Sequence, residues 1–223
     1  MDTPVENALS AERAPQFDAG FRARFYELLK WRRDVRRFKR DKLPQGTLER
    51  LIGIACLSPS VGLSEPWRFV IVEDGARRAA IRACFEACNE EALAMQAPDR
   101  AALYARLKLA GLDDAPCQLS VFSDRGTAQG SGLGRATMPE TLDYSVVTAI
   151  HTLWLSARAE GLGLGWVSIL DPARMCSILD VPESWAFIGH LCIGYPVAED
   201  DTPALERSGW ERRSPPAHVM LYR

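Results

Sequence analysis

The chain has 223 residues and a mass of 24.7 kDa, a length that suits one large domain. Hydrophobic residues make up 47% of the sequence and charged residues 25%, which excludes a disordered or fibrous protein. No apolar run approaches the roughly 18 residues that a membrane-spanning helix needs. The N-terminal segment is polar and acidic and lacks the apolar stretch of a secretion signal, so we expect a cytoplasmic protein.

The six Cys residues are scattered among apolar neighbours, without a C-x-x-C pair. This pattern indicates reduced, packed thiols rather than a disulfide framework. Cys84 and Cys88 lie four residues apart on a predicted helix, but the chain has only three His to complete a ligand set. We therefore predict no metal site.

The net charge of −2 hides a strongly basic segment. Residues 30–42 contain eight Lys or Arg and two Asp, a local charge of +6. Clustered arginines bind phosphate well, because the planar guanidinium donates two parallel hydrogen bonds. A solvated helix end, stabilised by the helix dipole, is an equal alternative, whereas the acidic remainder disfavours a nucleic-acid surface. The five arginines at the predicted end of the first helix are Arg32, Arg33, Arg36, Arg37 and Arg40.

Residues 1–16 are expected to form a flexible arm and residues 17–223 a single domain. The spacing of apolar residues predicts helices over residues 17–30, 44–57, 76–95, 101–110, 139–160 and 172–179. Short apolar runs predict strands over residues 67–72, 118–122, 165–170 and 186–194. Single strands separated by long helices indicate an α+β fold whose sheet is covered by helices.

Two glycine-rich strings, residues 130–134 and 161–165, lack the G-x-G-x-x-G spacing of a dinucleotide-binding loop. The second string also follows a predicted helix and precedes a strand, the reverse of the Rossmann order. No P-loop motif occurs. A phosphorylated ligand is therefore expected to be held by arginines. The irregular segment over residues 124–139 is long enough to suggest a function.

Three motifs taken together resemble the FMN-dependent nitroreductase family. They are R-R-D-V-R at 32–36, P-S-V-G at 59–62 leading to P-W at 66–67, and G-L-G at 161–163 leading to G-W at 165–166. The resemblance spans residues 25–193. It implies a nitroreductase-like α+β fold with a central mixed sheet, and an intertwined homodimer with FMN at the subunit interface.

The resemblance also implies which residues bind FMN: arginines hold its phosphate, and the Pro-Ser loop and the Gly-Trp strand border its ring. The implied FMN-binding residues are Arg32, Arg33, Asp34, Val35, Arg36, Ser60, Val61, Gly62, Pro66, Trp67, Gly165, Val167 and Ser168. Arg212 and Arg213, near the C-terminus, are candidates for a second phosphate contact. A solvated tail is the alternative for these two.

Three positions depart from the common family pattern: Asp34 replaces Ser, Leu63 replaces Asn and Glu65 replaces Gln. With residues 133–142 and 153–170, these departures resemble a branch of the family that consumes its flavin. That likeness implies reduced FMN as substrate, dioxygen as co-substrate and a separate flavin reductase as electron source. The implied products are 5,6-dimethylbenzimidazole, the lower ligand of cobalamin, and erythrose 4-phosphate.

Other functions remain open at this stage. An NAD(P)H-dependent nitroreductase or flavin reductase would keep its FMN through many cycles, and Asp34 and Leu63 argue against it. A reduced flavin could also serve the reduction of cob(II)yrinic acid a,c-diamide. A module that binds flavin or nucleic acid without chemistry would rely on the basic segment alone, and its binding would weaken steeply with salt.

Asp34 and Ser168 are the candidate catalytic residues. A carboxylate held among arginines stays ionised and can accept a proton near the ribityl chain. The alternative is that Asp34 only orients Arg33 or Arg37 through a salt bridge. Ser168 is expected inside an apolar strand, where a buried hydroxyl needs a partner, either the flavin or a neighbouring carbonyl.

Overall fold

The computed structural model describes residues 14–106 and 111–223, and most predicted elements are confirmed within a few residues. The arm predicted at 1–16 lies largely outside the described residues, as does the end of the helix predicted at 101–110. The elements are α1 (Ala19–Trp31), α2 (Thr47–Ala55), β1 (Trp67–Ile71), α3 (Gly75–Ala94), α4 (Pro98–Arg106), α5 (Gly111–Asp114), β2 (Cys117–Asp124), α6 (Thr141–Ala159), β3 (Gly163–Val167), α7 (Pro172–Leu179), β4 (Trp185–Gly194) and α8 (Ala204–Arg207). Short 3-10 helices cover Val61–Leu63 and Pro216–Val219.

The four strands form one sheet in the order β1-β2-β4-β3, and the predicted α+β class is confirmed. Neighbouring strands in this sheet are antiparallel, and the parallel part of the predicted mixed sheet is one bridge between Asp34 and Leu164. The β1–β2 pair shows why. The end of β1 at Ile71 pairs with Leu119 near the start of β2. The helices between these strands therefore begin and end at the same edge of the sheet, so β2 runs antiparallel to β1.

Helices pack on both faces of the sheet. Helix α6 buries a stripe with helical spacing against one face, and α3 and α7 cover the other. The buried residues of the α6 stripe are Leu142, Val146, Ala149, Ile150, Leu153 and Ala157. This central helix is therefore a rigid support for whatever its exposed side contacts.

The basic segment begins at the end of the first helix, as predicted, and continues as an extended chain, which the sequence did not predict. Helix α1 ends at Trp31, and Arg32 caps it with an extended backbone. Beyond this cap, Val35 N–H donates to the carbonyl of Leu164 at 3.0 Å, and Lys39 N–H donates to that of Tyr195 at 2.8 Å. The arginines therefore follow a strand-like path along the sheet, which spreads them over different surroundings.

The glycines of β3 make room for this crossing. A Cβ atom on Gly165 would lie 2.2 Å from the carbonyl oxygen of Val35, and one on Gly163 would lie 2.6 Å from the Val35 side chain. Only glycine permits so close an approach of two backbones. Gly163 and Gly165 therefore serve packing between segments of the chain, whereas Gly161 has a φ of 73° in the turn that follows α6.

Helix α1 lies against α6 and has no buried residue of its own. Its aromatic residues Phe21 and Phe25 stack on each other with ring centroids 6.3 Å apart, and both are about 40% exposed. An exposed aromatic face of this kind is unusual for a helix that contacts only solvent. Within residues 14–106 and 111–223, no helix combines the length and apolar character needed to cross a membrane.

Candidate functional site

Four arginines line a small cavity of about 130 Å³. The cavity lies where the crossing segment, residues 32–40, meets the C-terminal part of the chain. Three come from the segment, Arg32, Arg33 and Arg36, and the fourth is Arg213. Asp34 and residues 203–205 complete the walls. The cavity has room for about four water-sized groups, which is enough for one phosphate group.

The arginines that the sequence grouped together fall into different places. Arg37 lines a neighbouring cavity, and Arg40 pairs with Asp114 on the surface, with N–O distances of 2.8 and 3.0 Å. The C-terminal candidates also separate: both arginines are exposed, but Arg213 lines the small cavity and Arg212 does not. Fewer arginines thus line the anion site than the sequence pattern indicated.

Like charges crowd this cavity. Burial lowers the pKa of Arg32, and the nearby charge of Arg213 lowers it further. The pKa of Arg33 is lowered by burial first and then by Arg213 and Arg32. Cations that destabilise one another in this way favour an anion between them, because its charge offsets their mutual repulsion.

The Nε atom of Arg36 is buried and has no hydrogen-bond partner within the described part of the chain. The Oδ2 atom of Asp34 lies 3.5 Å from it, close enough for an ion pair but long for a hydrogen bond. Buried polar atoms are nearly always hydrogen-bonded, so an unpaired guanidinium nitrogen here indicates a missing acceptor. The phosphate of FMN fits the charge, the size and the unpaired donor of this cavity.

Arg33 is held by the protein itself. Its Nε and Nη2 atoms donate to the carbonyl oxygen of Asp201 at 3.0 and 2.6 Å, and its Nη1 donates to the carbonyl of Arg32 at 2.7 Å. The carboxylate of Asp201 in turn pairs with Lys30 at 2.5 Å. Because these donors are already used, Arg33 contributes mainly a fixed positive charge to the cavity.

Asp34 lies between the cavity and β3. Its Oδ1 accepts a hydrogen bond from the backbone N–H of Trp166 at 3.0 Å, and its Oδ2 faces Arg36. Burial raises the pKa of Asp34, while the Trp166 N–H and the Arg36 charge act in the opposite direction. The sequence predicted that arginines would keep this group ionised, but burial is the larger effect. Its ion-pair partner is Arg36, whereas the sequence suggested Arg33 or Arg37.

A second cavity of about 430 Å³ shares Arg33, Asp34 and Arg36 with the small one. This volume lies in the range of small-molecule sites. Trp31 and Trp154 form aromatic parts of its walls. Asp34 is therefore accessible from a phosphate-sized space and from a larger one.

Ser168 is exposed and lies one residue beyond β3, so its predicted place as a buried residue inside the strand is wrong. The strand ends where Val167 pairs with His190. Ser168 Oγ makes no hydrogen bond to the described residues, so the alternative role of bonding a neighbouring carbonyl has no support in the geometry. This exposed residue lies two residues beyond Trp166, whose N–H holds Asp34.

The Pro-Ser loop lies away from the arginines of the same chain. Val61 N–H donates to Ser145 Oγ at 3.0 Å, near the start of α6, and Ser60 Oγ accepts from Glu65 N–H at 3.1 Å. Gly62 has a φ of 56° and packs against the carbonyl of Leu133. The arginines instead contact Trp154, nine residues further along α6, or roughly 13 Å along the helix axis. One chain does not bring the two motifs together.

Four other residues that were predicted to contact the flavin ring pack in the protein interior. Pro66 is buried, and Trp67 and Val167 belong to the two hydrophobic clusters of the core. Gly165 lies beneath the backbone of Val35, which itself packs on the β3 glycines. The sequence patterns that suggested a flavin border at these positions are accounted for by core packing.

The sequence analysis did not single out Trp154 as a neighbour of the site. Its indole N–H donates to the carbonyl of Arg33 at 3.2 Å. The signal was present: a tryptophan at the edge of a buried stripe carries a donor that needs a partner. Residues 203–205 were also missed, because they follow a polar tail without periodicity.

The fold agrees with what comparison with known proteins finds. The model of the nitroreductase family matches residues 29–195, so the chain belongs to the nitroreductase family. A relative from Rhodospirillum rubrum named 5,6-dimethylbenzimidazole synthase is 57% identical over 90% of this chain and 95% of that protein. A protein of the same name from Rhodobacter capsulatus is 48% identical over 89% of this chain and 96% of its own length.

A solved structure gives a further comparison. An iodotyrosine deiodinase bound to FMN and 3-iodo-L-tyrosine superposes with a TM-score of 0.65 and 26% sequence identity. The match covers 78% of this chain and 91% of that one. The shared architecture therefore extends over most of both proteins.

Proposed function

We propose that this protein fragments reduced FMN with dioxygen, forming 5,6-dimethylbenzimidazole and erythrose 4-phosphate. The observation that carries the proposal is the 57% identity, over 90% of the chain, to a protein named for this synthesis. The site supports it independently, because a half-buried carboxylate with a raised pKa lies beside a cavity of arginines. Neither feature is needed by a module that only binds nucleic acid.

The small cavity supplies the phosphate contacts. Arg32, Arg36 and Arg213 present donors and charge to it, and Arg33 adds a fixed charge. The deiodinase structure bound to FMN supports the same ligand in this fold. When bound, reduced FMN supplies the ring carbons of the product and the electrons for dioxygen. The chain's own residues bind the phosphate, orient the ligand and hold or move a proton.

Asp34 is the proposed proton acceptor, and Oδ2 is the atom that takes the proton. Oδ1 is engaged by the Trp166 N–H, whereas Oδ2 has only the long contact with Arg36. The raised pKa of Asp34 makes it a better proton acceptor than an exposed Asp. Ser168, exposed just beyond the end of β3, is proposed to place the ligand.

The working form is proposed to be a homodimer. Helix α1 exposes Phe21 and Phe25 on a face that a second copy would bury. The Pro-Ser loop is remote from the arginines of its own chain, and a partner chain would supply this loop to the site. Sedimentation should give twice the chain mass of 24.7 kDa. A monomer that still forms product would contradict the proposal.

Electrons are proposed to come from a separate flavin reductase in the cytoplasm. The six cysteines are free, as suits a reducing compartment. The sequence contains no nicotinamide fingerprint of the G-x-G-x-x-G type. The electron donor and the flavin fragmentation are thus assigned to different proteins.

The rival nitroreductase function can be tested with NAD(P)H. The protein is mixed with oxidised FMN, NAD(P)H and a nitroaromatic acceptor in air, and NAD(P)H oxidation and total FMN are followed. We expect NAD(P)H to persist until a flavin reductase is added, after which FMN disappears. Rapid NAD(P)H oxidation with full recovery of FMN would overturn the proposed function.

A further inference from the structure

Trp154 contacts two consecutive arginines of the anion cavity. Its Nε1–H donates to the carbonyl of Arg33 at 3.2 Å, and the guanidinium of Arg32 lies over its ring, 4.5 Å from the centroid. One side chain on the rigid helix α6 thus fixes both the backbone and the side chain of the crossing segment. This contact lies outside the roles derived above.

The stacked geometry leaves Arg32 free to bind an anion. A guanidinium that stacks on an indole uses its face, while its N–H donors point outward in the plane. Arg32 makes no side-chain hydrogen bond to the described residues, whereas Arg33 spends three donor contacts on backbone carbonyls. Of the two arginines that Trp154 contacts, Arg32 is therefore the one whose donors are oriented and available.

The position of Trp154 is itself fixed. Its neighbours on α6, Leu153 and Ala157, are fully buried. Its ring packs near that of Trp166, with centroids 6.4 Å apart. The Trp166 indole occupies space left by Gly189, where a Cβ atom would lie 2.0 Å from Nε1. The two indoles thereby connect the arginines to the strand that holds Asp34.

We propose that Trp154 is a positioning residue that aligns Arg32 and Arg33 for a phosphate monoester, and so sets the preference of the site for FMN over riboflavin. The inference rests on the proposed identity of FMN as the ligand. It predicts that loss of the Trp154 contacts weakens recognition of the phosphate and spares recognition of the ring.

The test compares Trp154→Phe, which keeps a ring but loses the N–H donor, with Trp154→Leu, which loses both contacts. Trp185→Phe is the matched control. Trp185, at the start of β4, is also half-buried, but it packs on Phe122. Calorimetry measures the Kd of oxidised FMN and of riboflavin at constant ionic strength. Inorganic phosphate serves as a competitor of FMN, and thermal melting confirms that each variant is folded.

We expect Trp154→Phe to raise the Kd of FMN about three- to tenfold and Trp154→Leu about ten- to fiftyfold. The Kd of riboflavin should stay within about twofold in both variants, and Trp185→Phe should match the wild type for both ligands. Competition by phosphate should weaken in parallel with FMN binding. A purely structural role would change the melting temperature and leave the ratio of the two Kd values intact.

A wild-type ratio of riboflavin Kd to FMN Kd in both Trp154 variants would overturn the inference. Equal weakening of both ligands would also overturn it. These measurements need no turnover. A collapsed ratio in a protein that forms no 5,6-dimethylbenzimidazole would uphold the positioning role and reject the proposed function, and an intact ratio with normal product formation would do the reverse.

Discussion

Asp34 is tied to Trp166 by a hydrogen bond of 3.0 Å from the Trp166 backbone N–H to Oδ1. A backbone donor on a sheet strand cannot rotate away, so the carboxyl group is held in one orientation. Burial meanwhile raises its pKa above the ordinary value for Asp. The Trp166 N–H fixes the orientation of the carboxyl group and partly offsets this rise in pKa. A substitution that keeps the hydrogen bond and removes the titrating group tests the role of the proton.

Replacing Asp34 with Asn should abolish proton transfer and keep ligand binding. The Asn carbonyl can still accept from Trp166 N–H, but the amide cannot take a proton, so product formation should fall about 10²- to 10⁴-fold. The Kd of FMN should stay equal or tighten, because one negative charge leaves the arginine cavity. Product is measured by chromatography and affinity by calorimetry.

Asp180→Asn provides the control for this change. Asp180 caps α7 with a φ of 52° and is exposed, a conformation that Asn tolerates well. It should form product at the wild-type rate. An Asp34→Asn variant of full activity would remove Asp34 from the mechanism.

The two C-terminal arginines should differ in their effect on FMN binding. Arg213→Ala removes a charge from the cavity wall and should weaken FMN binding about tenfold or more, because a charged hydrogen bond is lost. Arg212→Ala removes an exposed arginine and should leave the Kd within about twofold. Equal Kd values for the two variants would place the phosphate elsewhere.

Ser168→Ala should slow product formation and leave stability nearly unchanged. Ser168 is exposed and its hydroxyl has no partner among the described residues, so its loss should alter the free energy of unfolding by less than about 0.5 kcal/mol. Product rates and denaturant unfolding are measured on the same preparation. A variant with the wild-type rate would rule out a role for this hydroxyl in placing the ligand.

The buried histidine of the sheet should make stability fall in acid. His190 Nδ1 lies 2.8 Å from Ser120 Oγ, and Nε2 lies 3.2 Å from Gln118 Oε1, and both contacts suit a neutral ring that donates from Nε2 and accepts at Nδ1. Burial lowers the pKa of His190 to about 3. The unfolded chain binds a proton near pH 6.5, so the unfolded state gains protons first as the pH falls.

This difference should cost the wild type about 2 kcal/mol of unfolding free energy between pH 8 and pH 5. His190→Gln should be less stable at pH 8 but lack this component of the pH dependence. His151→Gln is the control, because His151 is exposed on α6. Urea unfolding at several pH values checks the prediction, and parallel curves for wild type and His190→Gln would refute it.

Local patterns were sufficient to predict most of the fold. The apolar spacing over residues 139–160 identified α6, and the apolar run over residues 67–72 identified β1, because helical and strand periodicity depend on neighbouring residues. The path of residues 32–40 was not predictable in this way. That path is set by contacts with Leu164 and Tyr195, more than a hundred residues away.

The site shows the same division. Arginine chemistry and the R-R-D-V-R motif pointed to Arg32, Arg33 and Arg36, which do line one cavity. Ser168 was assigned to a strand interior because an apolar run does not reveal where pairing ends. The raised pKa of Asp34 depends on burial by distant segments, which no local pattern records.

The most direct test of the account is to mix the purified protein with FMN reduced under anaerobic conditions and then to admit air. 5,6-dimethylbenzimidazole and the remaining FMN are quantified by chromatography with mass detection. The account predicts product in amounts that match the loss of FMN. Recovery of all the FMN in oxidised form, without 5,6-dimethylbenzimidazole, would contradict it.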